Sequence, residues 1–147
     1  MIFRADPGHD PAPDRSRGAP SSAPASMPAS TPKPGPRRIT VRVSHYWPPL
    51  GGPNCSRFVN GRCVSRMASG ERWEDWAYRP WSEPGAAACP REWAFGTRFR
   101  LAGREWVCLD RGGRIRYENG IPWVDLLIPK LPEPLRFGDL AEAEMGP

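Results

Sequence analysis

Two aspartates at the edges of short apolar runs are the residues of this sequence best placed to do chemistry. Asp110 follows the run 106–109, and Asp125 lies inside the run 123–128. β-Branched and aromatic residues fill both runs and glycines separate them, which predicts two buried strands. A carboxyl group at a strand edge suits the lining of a groove, where it can act as an acid or a base. The structural alternative is that Asp110 caps the following turn and Asp125 pairs with an arginine.

The elements that position these aspartates are predicted to be strands. The predicted strands are 39–47, 98–101, 104–110, 123–128 and 140–145. A hairpin turn at Ala102-Gly103 joins two of them, and the Phe-Gly turns 95–97 and 137–139 look like corresponding turns of two halves. No amphipathic pattern supports a helix longer than two turns. The sequence therefore predicts a small all-β domain, and a closed barrel is favoured because closure leaves no exposed strand edge.

The composition divides the chain into two parts. Residues 1–38 contain nine of the twenty prolines and almost no aliphatic or aromatic side chains beyond Ile2 and Phe3. Such a segment cannot bury enough apolar surface to offset the entropy of ordering it. We therefore predict a disordered Pro/Ala/Ser-rich tether over 1–38 and one folded domain of modest core size over 39–147.

The net charge of +5 is shared between these two parts. The tether holds six Lys/Arg against three Asp, which leaves the domain at about +2. No basic run is long enough to select nucleic acid, lipid headgroups or anionic wall polymers, so we interpret the charge as ordinary surface charge. We expect a monomer with no nucleic-acid partner, no membrane span, no metal and no cofactor.

Four cysteines lack the Cys-x-x-Cys spacing of zinc sites and thioredoxin-like redox sites. Their even number fits disulfides, and hence a secreted or cell-envelope location. Cys55 and Cys63 bracket a short turn, which predicts a local bridge, and elimination pairs Cys89 with Cys108. The N-terminus has no apolar signal-peptide core and no run reaches transmembrane length. A missing leader, another export route and free thiols therefore stay open as alternatives.

Aromatic residues are concentrated in one short stretch of the chain. Trp73, Trp76, Tyr78 and Trp81 lie within nine residues, at neither a helical nor a strand period. Such a group fits a hydrophobic core, and it fits equally well an exposed platform on which sugar rings stack. The sequence leaves both interpretations open.

Five short motifs stand in the order seen in double-psi β-barrels of the rare-lipoprotein-A type. They are Met-Ala-Ser-Gly-Glu at 67–71, Ala-Ala-Cys-Pro at 87–90, Phe-Gly-Thr at 95–97, Asp-Arg-Gly at 110–112 and Val-Asp-Leu at 124–126. The frame Asp-x-Gly-Gly-x-Ile with a later Asp also resembles the three-aspartate domain of bacterial wall enzymes and the barrel of membrane-bound lytic transglycosylase A. The resemblance covers 40–145 and implies a six-stranded double-psi β-barrel.

The activity that this resemblance implies is cleavage of peptidoglycan strands by lytic transglycosylation. A carboxylic acid protonates the MurNAc–GlcNAc glycosidic oxygen, and the sugar's own C6 hydroxyl then attacks to leave a 1,6-anhydro product. The acid must stay protonated near neutral pH through desolvation or a like-charged neighbour. Rare-lipoprotein-A-like enzymes have the acid at the position of Asp110, whereas lytic transglycosylase A and expansin-like barrels have it at that of Asp125. We expect Asp125 to be the acid and Asp110 to tune it.

The resemblance also implies contacts to the sugar. Tyr46 resembles the groove tyrosine of related cellulases and expansins, and Pro48 stands where those hydrolases place a base aspartate. Cys89 stands where the rare-lipoprotein-A pattern has a histidine. Further candidate substrate-binding residues are Glu71, Arg111, Trp73 and Trp76.

Two other functions compete with glycan cleavage. The first is a non-catalytic module that binds wall glycan through Trp73, Trp76 and Trp81. The second is an expansin-like or cellulase-like protein that acts on another β-glucan. A released anhydro-sugar distinguishes lytic transglycosylation from both of these alternatives, because neither binding alone nor hydrolysis forms that product.

Overall fold

The computed structural model describes residues 35–146 of the chain. The strands are β1 (Arg37–Tyr46), β2 (Phe58–Val59), β3 (Arg62–Cys63), β4 (Gly85–Ala88), β5 (Arg98–Leu101), β6 (Arg104–Asp110), β7 (Tyr117–Glu118), β8 (Ile121–Leu127) and β9 (Leu140–Met145). One short helix, α1 (Glu74–Ala77), and two 3-10 turns (Pro48–Leu50 and Gly52–Asn54) complete the elements of this part. The predicted tether falls outside it except at its end, where β1 begins at Arg37.

Six of these strands close into a barrel. Their order around it is β1, β9, β5, β6, β4, β8 and back to β1. The pairs β1–β8 and β4–β6 are parallel, and the other four are antiparallel. The prediction of a small all-β domain with a closed six-stranded barrel is confirmed, and the pairing is compatible with a double-psi barrel. Among the described residues, no helix is long and apolar enough to cross a bilayer.

The strand pairing is preserved when the two halves of the barrel are exchanged. The strands β1, β4 and β5 of the first half correspond to β6, β8 and β9 of the second. For example, the pair formed by Val41 of β1 and Ala141 of β9 corresponds to the pair formed by Trp106 of β6 and Phe99 of β5. The barrel therefore has a pseudo-twofold axis.

The two Phe-Gly turns occupy corresponding positions about this axis, as predicted. The Gly96 amide donates to the Cys108 carbonyl at 2.8 Å, and the Gly138 amide donates to the Val43 carbonyl at 2.7 Å. Positive φ angles of 91° and 88° at these glycines favour a residue without a Cβ atom. Each turn thus fastens the start of one strand to a strand of the other half.

The axis passes between β4 and β8. Because Cys108 corresponds to Val43, their strand partners Ala87 and Val124 correspond as well. The next residues are Ala88 and Asp125, and these two are paired with each other across β4 and β8. The halves therefore differ in chemistry at their shared axis, where one provides a methyl group and the other a carboxyl group.

Two apolar clusters stabilise the domain. The barrel interior is filled by residues from all six strands and includes the fully buried Trp106, whose Nε1 donates to the Leu101 carbonyl at 3.0 Å. A second cluster lies beneath the 3-10 turns and α1, where Met67, Trp73 and Leu127 pack together. This second cluster supports one wall of the groove described below.

Both predicted disulfides are present. Cys55–Cys63 closes the ring that contains the β2–β3 hairpin, and Cys89–Cys108 links the residue after β4 to β6 inside the barrel core. Asn60 and Gly61 form the hairpin turn with φ angles of 50° and 75°, the conformation that Asn-Gly favours. The bridges therefore fasten one loop of the groove wall and one pair of barrel strands.

Candidate functional site

A groove crosses one end of the barrel and consists of two adjoining cavities of about 330 and 400 Å³. The first extends toward Arg66 and Met67, and the second toward Trp123 and Phe137. Both cavities share a central set of lining residues, namely Tyr46, Pro53, Asn54, Gly112, Gly113 and Asp125. Asp125 therefore lies where the two arms of the groove meet, and an extended ligand could pass over it.

Asp125 is positioned by strand pairing. On β8 it lies opposite Ser44 of the parallel strand β1 and opposite Ala88 of β4. Both neighbours have small side chains, and the carboxyl group between them is half-buried. The floor of the groove thus presents a carboxyl group between a hydroxyl and a methyl group.

Two hydrogen bonds orient this carboxyl group. The Ser44 hydroxyl donates to Asp125 Oδ1 at 2.7 Å, and Trp123 Nε1 donates to Ser44 Oγ at 2.8 Å. An indole N–H can only donate, so it occupies a lone pair of the hydroxyl and leaves the hydroxyl proton for Asp125. Within residues 35–146, Oδ2 has no hydrogen-bond partner. It is therefore the oxygen left free to carry the proton of the neutral carboxyl group.

Burial raises the pKa of Asp125 from its ordinary value near 3.8 to about 6. The Ser44 hydrogen bond and the charge of His45 lower this pKa, whereas the negative charge of Asp110 raises it. Desolvation is the largest cause, because it penalises the charged carboxylate. The resulting pKa keeps a useful fraction of Asp125 protonated in mildly acidic to neutral solution.

Asp110 lies at the end of β6 and accepts three hydrogen bonds. Its Oδ1 accepts the backbone amides of Ala68 and Arg111 at 2.8 Å, and its Oδ2 accepts the Tyr46 hydroxyl at 2.8 Å. Burial, followed by the charge of Asp110, raises the pKa of Tyr46 well above 10, so the phenol remains a donor. The carboxyl group of Asp110 thus fastens the 67–71 loop and Tyr46 to the barrel.

The structure brings the two aspartates to the same groove. Ala88 pairs with Asp110 on one side and with Asp125 on the other. Two strand spacings therefore separate their Cα atoms, which amounts to roughly 9–10 Å. Tyr46 donates to Asp110, and together with Asp125 it lines both arms of the groove.

Arg111 and Trp73 line the groove with their polar groups already engaged. The Arg111 guanidinium donates to the carbonyls of Trp93 at 2.8 Å and Cys89 at 3.3 Å, and it stacks 4.1 Å over the ring of Phe95. Trp73 is only 6% exposed. Both residues shape the wall, and the buried ring of Trp73 offers no open face to a sugar.

Glu71, Trp76 and Trp81 lie outside the lining of the groove. Trp76 Nε1 donates to Glu71 Oε1 at 2.9 Å, and the Arg79 guanidinium covers the Trp76 ring at 3.7 Å. Trp81 packs edge-on against the core residue Trp106. The tryptophans of this stretch therefore do not form one continuous platform, because each packs against a different neighbour.

Ser44 and Trp123 are the site residues that sequence reasoning did not assign. Trp123 is half-buried and lines the groove beside Phe137, with ring centroids 6.5 Å apart. Ser44 is 2% exposed and stands as a lone hydroxyl after two inward-facing valines of β1. That buried hydroxyl was the available signal, but its partner depends on the parallel β1–β8 register.

No protein-family model, curated protein or solved structure matches this chain. The chemistry of the groove is therefore inferred from its own side chains. Two features carry the inference, namely a carboxyl group whose pKa is raised and a groove that continues on both sides of it.

Proposed function

We propose that this domain cleaves the glycan strands of peptidoglycan by lytic transglycosylation, with Asp125 as the general acid. The observation that carries the proposal is a single carboxyl group with a raised pKa at the junction of two groove arms. A polymer that passes through both arms places an internal bond above this acid. General acid catalysis requires a group whose pKa lies near the working pH, and Asp125 meets that requirement.

The proposed reaction begins with the proton on Oδ2 of Asp125. That proton is transferred to the MurNAc–GlcNAc glycosidic oxygen while the bond from this oxygen to C1 of MurNAc breaks, which leaves an oxocarbenium-like centre. The C6 hydroxyl of the same MurNAc attacks C1 and forms the 1,6-anhydro ring. Its proton returns to the Asp125 carboxylate, so the acid is regenerated and no water is consumed.

The surroundings of Asp125 favour an intramolecular attack over hydrolysis. A hydrolase of the inverting kind needs a second carboxylate to activate water. Ala88 occupies the symmetry-related position, and both oxygens of Asp110 already accept hydrogen bonds. An attack by the sugar's own hydroxyl does not depend on such a base being free.

Tyr46 and Asp110 support the acid in this proposal. Asp110 contributes negative charge that raises the pKa of Asp125, and it holds the Tyr46 hydroxyl at the shared centre of the groove. The two disulfides fit a secreted or cell-envelope protein, where the proposed substrate occurs.

A non-catalytic glycan-binding module is the second candidate. It is favoured by the aromatic arm of the groove, where Trp123 is half-buried and Phe137 is 65% exposed. Aromatic faces of this kind stack on sugar rings without any need for an acid. This candidate binds glycan through Trp123 and Phe137, whereas the binding module expected from the sequence uses Trp73, Trp76 and Trp81.

Digestion of purified sacculi tests the proposal. The full chain with its disulfides formed is incubated with sacculi at pH 5.5, and soluble fragments are examined by mass spectrometry for the 1,6-anhydro end. We expect Asp125→Asn to lower the rate at least about 100-fold, the scale of general acid catalysis. Asp75→Asn makes the same chemical change at an exposed position of α1 and should keep the wild-type rate.

Each other outcome of the digestion assigns a different function. Binding to sacculi without any released fragment would support the non-catalytic glycan-binding module. Release of sugars from cellulose but not from sacculi would indicate a β-glucan-active protein of the expansin or cellulase kind. Anhydro product from Asp125→Asn at the wild-type rate would show that Asp125 is not the acid.

A further inference from the structure

A third cavity of about 470 Å³ lies beside the groove. Its charged lining consists of Arg91, Arg111 and Arg116, against Glu92 as the acidic residue. Gly112 and Gly113 line this cavity and both arms of the groove. The cavity therefore adjoins the groove at these two glycines, and we call it the arginine pocket.

The arginine pocket has a net positive charge, because its lining holds three arginines against one glutamate. Arg91 and Arg116 are exposed and form no ion pair with any acidic residue of the described part of the chain. Arg111 is fixed in place, because its guanidinium donates to three backbone carbonyls and stacks on Phe95. The exposed guanidinium groups of Arg91 and Arg116 can bind a carboxylate by charge-assisted hydrogen bonds, while Arg111 adds positive charge.

The boundary between the groove and the arginine pocket is formed by Gly112 and Gly113, which have no side chains. A Cβ atom at Gly112 would lie 2.8 Å from Ile115 Cγ1, a distance too short for any other residue without a shift. A Cβ atom at Gly113 would meet no other atom within 4 Å. A substituent on a sugar above Asp125 would cross this backbone at Gly113, where no side chain projects, to reach the pocket.

We propose that the arginine pocket binds a carboxylate carried by a branch of the glycan in the groove. This inference deepens the proposed function and takes from it only the identity of the polymer. Two sources supply the carboxylate in peptidoglycan, namely the stem peptide and the lactyl group that is exposed when the peptide is removed. A neutral β-glucan has no group to fill the pocket.

Binding measurements in the Asp125→Asn background test the pocket without interference from cleavage. The probes are soluble glycan strands with stem peptides, the same strands after amidase treatment, and an N-acetylglucosamine oligomer of equal length. We expect one of the two carboxylate-bearing probes to bind about five- to tenfold more tightly than the neutral oligomer at low salt. The preference should shrink at 1 M salt, because exposed charges are screened there.

The variant pair Arg91→Gln/Arg116→Gln should remove this preference and leave affinity for the neutral oligomer unchanged. Arg100→Gln is the matched control, since Arg100 is an exposed arginine of β5 that lines none of the three cavities. Whichever carboxylate-bearing probe loses affinity in the pair identifies the source of the carboxylate. Two results would overturn the proposal. The first is equal binding of all three probes by the Asp125→Asn protein, and the second is a carboxylate preference that persists when Arg91→Gln and Arg116→Gln are added to it.

The outcome for the pocket is separable from that for the proposed function. A carboxylate preference in binding together with no anhydro product from wild-type protein would keep the pocket and reject the lyase activity. Anhydro product without a carboxylate preference would do the reverse. Circular dichroism of the Arg91→Gln/Arg116→Gln pair confirms that the barrel is intact, since both side chains are exposed.

Discussion

The Ser44 hydroxyl donates a hydrogen bond of 2.7 Å to Asp125 Oδ1, and the two residues are direct partners in the parallel pairing of β1 with β8. Trp123 completes the arrangement by donating to the same hydroxyl. This hydrogen bond orients the carboxyl group of Asp125 and lowers its pKa, against the larger effect of burial.

Ser44→Ala is predicted to raise the pKa of Asp125 above its present value of about 6, because the lost hydrogen bond favours the charged carboxylate. A general acid works only when protonated, so the activity of the wild type should fall as the pH rises through about 6. In Ser44→Ala that fall should move to higher pH. The 13C chemical shift of the Asp125 carboxyl group, followed against pH, measures the pKa without reference to activity. Ser82→Ala, at an exposed serine, should titrate like wild type, and an unchanged titration in Ser44→Ala would contradict the prediction.

Asp125→Asn is predicted to stabilise the domain at pH 8. The folded-state pKa is raised, so the stability that Asp125 contributes is fully present below about pH 4 and is lost as the pH rises through about 6. A shift from 3.8 to about 6 corresponds to at most about 3 kcal/mol of destabilisation at high pH. The amide does not ionise, so this loss disappears in the variant. Urea unfolding at pH 4 and pH 8 measures the difference, with Asp75→Asn as the control; a variant less stable than wild type at pH 8 would refute this explanation.

Asp110→Ala should destabilise the fold by roughly 2–4 kcal/mol, because three donors lose their acceptor at once. Asp110→Asn should cost much less, since its carbonyl oxygen can still accept both backbone amides and the Tyr46 hydroxyl can turn to accept from the new amide group. Equilibrium unfolding at pH 7 compares the two. Equal losses would mean that negative charge, rather than hydrogen bonding, accounts for the contribution of Asp110.

Replacing Cys89 and Cys108 together by alanine should lower the free energy of unfolding by about 3 kcal/mol or more, since the bridge closes a 19-residue separation inside the core. The same double replacement at Cys55 and Cys63 should cost less, because that bridge closes only 8 residues and Cys55 lies at the groove wall. Its effect should appear instead as weaker glycan binding. Unfolding in urea and binding to sacculi distinguish the two bridges.

Much of the fold was readable from the sequence. The strand 140–145 and the hairpin 98–101 with 104–110 were predicted at their observed bounds, because turn residues mark their ends. The first strand runs from Arg37 to Tyr46 instead of 39–47, and the later one from Ile121 to Leu127 instead of 123–128. Strand β4 was missed, since its Gly-Ala-Ala-Ala sequence has low β propensity and forms a strand only through burial in the barrel.

The site was readable only in part. Asp110, Asp125 and Tyr46 were assigned to one groove and do lie in one groove. The role of Ser44 depends on β1 pairing in parallel with β8, a long-range contact between residues 81 positions apart that no local pattern encodes. The positions of Trp76 and Glu71 outside the groove likewise follow from tertiary packing, because their mutual hydrogen bond and the stacking of Arg79 occupy them.

The pairing of Ala88 with Asp125 on the pseudo-twofold axis has a consequence for how such a barrel can be built. Two copies of the second half alone would retain every type of strand pairing, and they would bring two aspartates face to face at the axis. Such carboxyl groups share one proton, and the second ionises only at a much higher pH. A designed homodimer of this half would therefore carry a proton-sharing acid pair, whereas the present domain, with Ala88 opposite Asp125, carries a single carboxyl group at the axis.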